Sequence, residues 1–306
     1  MKQEILVTEE MAGDRIDKFL SEQCGELSRS FLQKLLKSGE VWVNEKQVKA
    51  SFKVSEGDFI SFEVPEAVEP VILPEDIPLD ILYEDHDVIL VNKPKGMVVH
   101  PAAGHNTGTL VNALLYHCRD DLSGINGVLR PGIVHRIDMD TTGVLIACKN
   151  DMAHNSIAAQ LKEHTITRRY EAIVHGVIKE NEGVVDAPVG RHPRDRKKMC
   201  VNYQNGKTAV THYRVLKRFQ GFTHIECRLE TGRTHQIRVH MAHLGYPLLG
   251  DAVYGPAKCP YPLEGQTLHA GILGFIHPRT GEYLEFRAPR PEYFERLLMV
   301  LTEKNR

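Results

Sequence analysis

Residues 65–80, PEAVEPVILPEDIPLD, hold four prolines and five acidic side chains and no Lys or Arg. Proline lacks a backbone donor and fixes φ, so neither a helix interior nor a central strand can run through such a stretch. It reads as an extended linker. The 306-residue chain must therefore fold as two bodies, residues 1–64 and 81–306. At 42 % hydrophobic and 25 % charged residues the composition is ordinary for a globular protein, which excludes disordered and collagenous classes. The larger body is long enough to bury a core without metal or disulfide help. Cys24, Cys118, Cys148, Cys200, Cys227 and Cys259 are scattered with no C-x-x-C pair, which fits free thiols in a reducing cytoplasm. The opening MKQEILVTEEMAGDR is charged and has no apolar stretch, so no secretory signal is expected. The longest apolar runs, such as VILVN at 88–92, fall far short of the roughly 20 residues of a membrane span. A cytoplasmic protein that folds as a monomer is expected, with no membrane partner.

The chain's net charge of −2 hides an asymmetry. Residues 1–64 carry −3, residues 65–87 carry −8, and residues 88–306 carry +9. The last value fits a polyanionic partner, because Lys and Arg neutralise phosphates and release counterions. It fits a solvated basic surface equally well.

In the smaller body, residues 13–20 begin a short helix with Ile16, Phe19 and Leu20 on one face. Ser28 is placed to cap a second helix bearing Phe31, Leu32, Leu35 and Leu36, which Ser38-Gly39 stops. Residues 41–44 and 59–62 read as short strands, the second after a Gly57-Asp58 turn. The run R-I-D-K-F-L, S-R-S, K-S-G-E-V-W-V-N, V-S-E-G-D resembles the small RNA-binding module of small-subunit ribosomal protein four. That resemblance implies two helices packed on a small sheet, with Arg29, Lys34 and Lys37 as RNA contacts.

In the larger body the expected elements are a buried strand at 88–91, a helix at 109–118, a helix at 152–163, and alternating strands at 168–174, 209–215 and 223–229. Strands outnumber helices and most connections are short, so an α+β fold with a mixed, largely antiparallel sheet is expected.

The densest chemistry lies at 130–143, RPGIVHRIDMDTTG. An apolar strand at Ile133-Val134 is expected to run into His135, Arg136, Asp138 and Asp140. On a continuing strand the two carboxylates share a side. That pattern fits a metal site, an acid pair, or one working carboxylate beside a turn former. Asp140 before Thr-Thr-Gly suits the turn. Asp138 beside Arg136 suits an ionised carboxylate, since a neighbouring cation favours the charged form.

The string H-R-I-D-x-x-T-T-G, preceded by P-G-I-V, resembles the signature of the RluA/RluD family of RNA pseudouridine synthases. V-N-K-P-K-G-M-V-V-H-P at 91–101, R-R-Y-E-A at 168–172 and T-G-R-T-H-Q-I-R-V-H at 231–240 resemble the family's other motifs, in family order. Ile137 stands where Leu is usual. The resemblance implies uridine-to-pseudouridine isomerisation, in large-subunit ribosomal RNA for the subfamily with the N-terminal module. It makes Asp138 the catalytic aspartate and Arg136 the side chain that helps displace the flipped nucleotide. Tyr170 would lie against the uracil, and Arg238 would pair with the aspartate. Asn92, Lys93 and Pro94 would form a supporting loop, His135 would support the site, and Lys93 would also reach RNA. Arg191, Arg194, Arg196, Lys197 and Lys198 form a basic loop that reads as RNA backbone contact, or as a solvated loop.

His235, His240 and His243 have the spacing H-x4-H-x2-H, but on a strand the first two face opposite ways and no carboxylate or Cys is close in sequence. No metal is expected. Neither a phosphate-binding glycine loop nor a dinucleotide fingerprint is present, so no cofactor is expected either.

Overall fold

The computed structural model describes residues 2–25, 27–64, 72–102, 104–119, 121–127, 130–195 and 198–304. Two residues of the basic loop, Arg196 and Lys197, and linker residues 65–71 lie outside that set; residues 72–80, expected as linker, instead belong to the larger unit, where Ile72 and Leu79 pack on its core and the Leu73 carbonyl accepts from Asn112. The chain divides into two compact units, Met1–Glu69 and Pro70–Arg306.

The smaller unit contains β1 (Lys2–Leu6), α1 (Ile16–Gln23), α2 (Arg29–Ser38), β2 (Val41–Val43), β3 (Lys46–Gln47) and β4 (Phe59–Glu63). Its antiparallel sheet has the order β1-β4-β2-β3. Ser28 caps α2 by accepting from the Phe31 N–H, and Gly39 ends it in a left-handed conformation. Apolar faces of both helices (Ile16, Phe19, Leu20; Leu32, Leu35, Leu36) meet Val41, Val43, Ile60 and Phe62 from the sheet. Two features were not legible beforehand. Lys2–Leu6, hidden in a charged leader, is a strand on the sheet's edge. Asp17 is fully buried, accepting from Arg15, Arg29 and Gln33. Burial pushes its carboxyl up, but hydrogen bonds from Gln33, Arg15 and Arg29 outweigh that and hold it well below the usual carboxylate range.

The larger unit contains β5 (Ile81–Glu84), β6 (Val88–Lys93), α3 (Leu110–Cys118), β7 (Thr142–Cys148), α4 (Asp151–Lys162), β8 (Thr167–His175), β9 (Glu182–Asp186), β10 (Val189–Arg191), β11 (Met199–Val201), β12 (Val210–Phe219), β13 (Phe222–Leu229), α5 (Gln236–His243), β14 (Leu268–Ile276), β15 (Tyr283–Arg287) and α6 (Glu292–Glu303). The main sheet runs β5-β6-β7-β14-β8-β13-β12-β9, with β15 also on β14. Every pairing in it is antiparallel except β7 with β14. This is the mixed, largely antiparallel α+β architecture expected from the strand-rich sequence. The strand β10 pairs with β11 in a separate two-stranded sheet, and its Val189 also bridges to Lys207.

Alternation along each strand gives the sheet two covered faces. On one, Leu145, Ala147, Ala172 and Cys227 pack with α3 and α5. On the other, Val144 and Ile146 pack with α4, while Ile173 and Phe219 pack with α6. One edge of β14 is shared, by β7 at His269–Ala270 and by β15 from Ile272 onward. Gly143 allows the parallel join: its φ is +112°, and a Cβ there would lie 2.2 Å from the Ala270 carbonyl oxygen. The Thr-Thr-Gly read as a turn signal is instead the step into β7, where two backbones touch.

Glu171 fastens β8 to the α6 side, accepting from His224 and Arg290. Burial pushes its carboxyl up, yet the His224 and Arg290 hydrogen bonds and charges bring it from an ordinary 4.5 down to about 2. A depressed folded value contributes stability above the unfolded pKa, and that stability is lost as pH falls from 4.5 toward 2. Glu171→Gln should therefore remove up to about 3 kcal/mol at neutral pH. It should also flatten the fall in urea midpoint between pH 4.5 and 2. A variant with the parent's acid slope would contradict this account.

Candidate active site

The segment expected as a strand running into His135 is a loop. Ile133 forms a single bridge to Ala147, and the apolar strand, β7, follows the motif instead of preceding it. Gly132, at φ +70°, donates to the Ser123 carbonyl and accepts from the Cys148 N–H, which turns the chain back along β7. His135 then fixes the loop to the sheet, its Nε2 accepting from the Ile146 N–H at 3.1 Å. Burial, reinforced by the charge of Arg168, pushes that imidazole down to about 3, so it is neutral with its proton on Nδ1. Asp138 closes the loop: its carbonyl accepts from the Thr141 N–H, with Met139 and Asp140 at the turn's centre. Asp140 is thus a turn residue, as its position before Thr-Thr suggests.

Lys93 lies beneath this turn. Its side chain is fully buried, and Nζ donates to the carbonyls of Pro94, Met97 and Met139 at 2.8, 2.9 and 2.9 Å. All three ammonium protons are used. The expectation that Lys93 reaches RNA is therefore corrected: it pins the loop at 93–97 to the turn after Asp138. Asn92 and Pro94 line a different hollow, beside Tyr293, and Asn92 is tied to Asp80. They flank Lys93, whose ammonium the Pro94 carbonyl also accepts from.

Arg238 comes from the first turn of α5, whose N-cap His235 holds φ +57°. The guanidinium divides its donors. Nε and Nη2 form a bidentate pair with the fully buried Asp251, at 2.7 and 2.9 Å. Nη1 reaches Asp138 Oδ2 at 3.0 Å. Burial opposes the charge of Arg238, but the Asp251 hydrogen bonds and both carboxylates keep it protonated. Asp251 in turn accepts from the N–H groups of Val253 and Tyr254; burial raises its carboxyl and Arg238 more than reverses that. The Asp138 side chain is 18 % exposed and looks onto a cleft of about 470 Å³. Tyr170 from β8 lines the same cleft, as do His135, Arg136, Arg168 and His235. Burial, ahead of any neighbouring charge, raises the Tyr170 phenol above its ordinary range. So four residues expected at the site, Asp138, Tyr170, Arg238 and Arg136, converge from one loop, a strand and a helix.

A family model described as RNA pseudouridylate synthase matches residues 87–243, which span this cleft. The chain belongs to that family. A second model, described as S4 domain, matches residues 14–60. The chain is 57 % identical over 295 residues to an uncharacterized RNA pseudouridine synthase, YlyB, of Bacillus subtilis, covering 96 % of each chain. It is 47 % identical over 314 residues to the ribosomal large subunit pseudouridine synthase D of Zymomonas mobilis, covering 99 % of each. Among solved structures, human RNA Pseudouridylate Synthase Domain Containing 1 matches with a TM-score of 0.56 at 25 % identity, covering 74 % of this chain and 96 % of that one.

Elsewhere in this pseudouridine synthase, Lys34 and Lys37 are exposed on α2. Arg29 is half tied down, donating to Asp17 at 3.0 Å while 55 % of its side chain remains exposed. Arg194 is exposed and Lys198 half-buried in the loop between β10 and β11, where His192 accepts from the backbone N–H groups of Arg194 and Asp195. The histidine stretch expected as strand is helical: Gln236–His243 form α5, with His235 at its N-cap. Both ring nitrogens of His240 are engaged, with Thr211 Oγ1 and the Ala187 carbonyl, and His235 Nδ1 meets the Tyr254 hydroxyl. Among the described residues no helix is long and apolar enough to cross a membrane.

Three residues of the synthase's site were missed in the sequence. Gln236 is a buried hub: Oε1 accepts from Thr231 and the Arg233 N–H, and Nε2 donates to Val210 and Thr211. A polar residue between His235 and Ile237 was its only signal. Asp251 follows Gly250 and reads as a loop residue. Arg168 is hidden in the sequence by a motif centred on Tyr170.

Proposed function

We propose that this synthase converts specific uridines of large-subunit ribosomal RNA to pseudouridine, using Asp138 and no cofactor. The observation that carries the reading is the Asp138–Arg238 contact at 3.0 Å, set in a cleft whose wall carries Tyr170. The rRNA substrate is drawn from the name of the Zymomonas mobilis relative, and the S4-type module supports an RNA substrate of some length.

The chemistry is balanced without a donor or oxidant. The Asp138 carboxylate either attacks C1′ or takes the C2′ proton. In both cases the N1–C1′ bond breaks and its electron pair leaves with the base. The base turns, C5 bonds to C1′, and the ribose returns to its starting oxidation state as it releases Asp138 or regains its proton. C5 then loses its proton, with the Tyr170 hydroxyl in reach, and N1 gains one. A single ionised carboxylate suffices, whereas a glycosidase needs a second one to manage water and leaving group. Arg238 is held in place beforehand by Asp251, so it orients Asp138 without moving during the reaction. The target nucleotide must leave its stack at a cost of a few kcal/mol. Arg136, exposed at the mouth of the cleft, would fill the gap, and phosphate contacts from the basic unit would offset the cost. Residues 1–64, tethered to the unit that begins at Pro70, would raise the local RNA concentration, with Lys34 and Lys37 facing the backbone.

The test is tritium release from C5-labelled uridine in a large-subunit rRNA transcript with no ATP, NAD or metal added, paired with mapping of pseudouridines in cells lacking the protein. Release at stoichiometric sites that vanish from those cells is expected. No release from the transcript, with an unaltered cellular map, would reject the reading.

A further inference from the structure

Arg168 is a buried cation of this cleft with no carboxylate partner among the described residues. It sits on β8 two residues before Tyr170, on the same face of the strand, and lines the same cleft. The residue is only 6 % exposed. Nη2 donates to the Glu230 carbonyl at 2.8 Å, while Nε is buried and donates to nothing. Among the described residues no carboxylate pairs with this guanidinium, and the charge of Arg233 repels it. Arg238 next door has two carboxylates.

A cation left this way is costly, because burial removes its water and one carbonyl hydrogen bond repays only part of the loss. The fold nonetheless builds a seat for it. Gly232 lies against the guanidinium so closely that a Cβ would stand 2.6 Å from Nη1. An unpaired, seated cation in a cleft is what a site needs when negative charge arrives only during the reaction. The proposed isomerisation produces such a charge. When N1–C1′ breaks, the electron pair on N1 spreads over O2 and O4 of the detached uracil, whichever role Asp138 takes. Arg238 is saturated by carboxylates, and Lys162, Arg136 and Arg233 are all more exposed to water than Arg168, so Arg168 is the buried cation with donors left to meet that charge.

We propose that Arg168 is a catalytic residue that stabilises the uracil anion released by glycosidic cleavage, by hydrogen bonding to a pyrimidine carbonyl oxygen. This rests on the isomerase reading above. It assigns the residue a duty in the transition state and none in holding the RNA. Its loss should lower the single-turnover rate by about 10²-fold, as loss of one such donor does elsewhere, and leave RNA affinity within about threefold.

The decisive experiment varies the leaving group. Fluorine at C5 withdraws electrons and makes the uracil anion easier to release, so a 5-fluorouridine RNA depends less on Arg168. Arg168→Met and Gly232→Ala would be compared with the parent on uridine and 5-fluorouridine RNA, following loss of the N1-linked nucleoside in nuclease digests. Gly232→Ala displaces the guanidinium without removing its charge, so it carries the test if Arg168→Met fails to fold. The expected result is a rate deficit at least tenfold smaller on the fluorinated RNA. An equal deficit on both RNAs, or weakened RNA binding with an unchanged bound-state rate, would overturn the proposal. Turnover of uridine RNA by the parent is scored separately and decides the isomerase reading on its own.

Discussion

Asp138→Asn is expected to leave no detectable tritium release from C5-labelled RNA while binding that RNA within a few-fold of the parent. The amide keeps the size of the carboxylate and can still accept from Arg238 Nη1. It is a poor nucleophile and a poor base, so both versions of the aspartate's part fail together. Phosphate contacts do not pass through Asp138, so affinity is spared. Asp140→Asn should be far milder, because Asp140 occupies the centre of a turn whose closing bond runs from the Thr141 N–H to the Asp138 carbonyl. Tyr170→Phe keeps the ring face and should lose rate at C5 deprotonation. Substantial tritium release by Asp138→Asn would refute the mechanism.

Arg238→Met should be the most destabilising change in the site. It strands Asp251, which is fully buried and loses both bonds of a bidentate pair. Breaking a buried pair from one side costs about 3–5 kcal/mol, because the remaining charge is uncompensated. Backbone donation from Val253 and Tyr254 softens but does not replace the loss. Adding Asp251→Leu to Arg238→Met should restore much of the stability, as seen in urea unfolding, without restoring isomerisation. The cycle separates the two things Arg238 does. Recovery of activity in the double variant would show that contact with Asp138 is dispensable.

What the sequence could and could not disclose follows from range. Elements set by local pattern were legible: α2 between Ser28 and Gly39, α3 behind Thr109, the buried run of β6. So were residues carried by contiguous motifs, Asp138, Tyr170 and Arg238, which do meet in one cleft. Features decided by distant partners were not. Lys93 reads as a surface lysine in an N-K-P-K run, yet it is enclosed by carbonyls that include one from residue 139. Gly143 looks like a turn glycine, but its reason is Ala270, a strand pairing no local window contains. The interval His235 to His240 has no fixed meaning until the segment is known to be helical. Arg168 shows its peculiarity only through what fails to surround it.

The position of β14 has a consequence for the chain as it is made. Strands β7 and β8 are neighbours in sequence, separated only by α4, but β14 lies between them in the sheet and pairs with both. Until Ile276 has left the ribosome the sheet is two fragments with facing bare edges, Asp138 beside one and Tyr170 on the other. Such late, non-local closure makes for slow assembly, and open edges invite pairing with other nascent chains. Synthesis interrupted before Leu268 therefore yields an aggregation hazard and no partial enzyme.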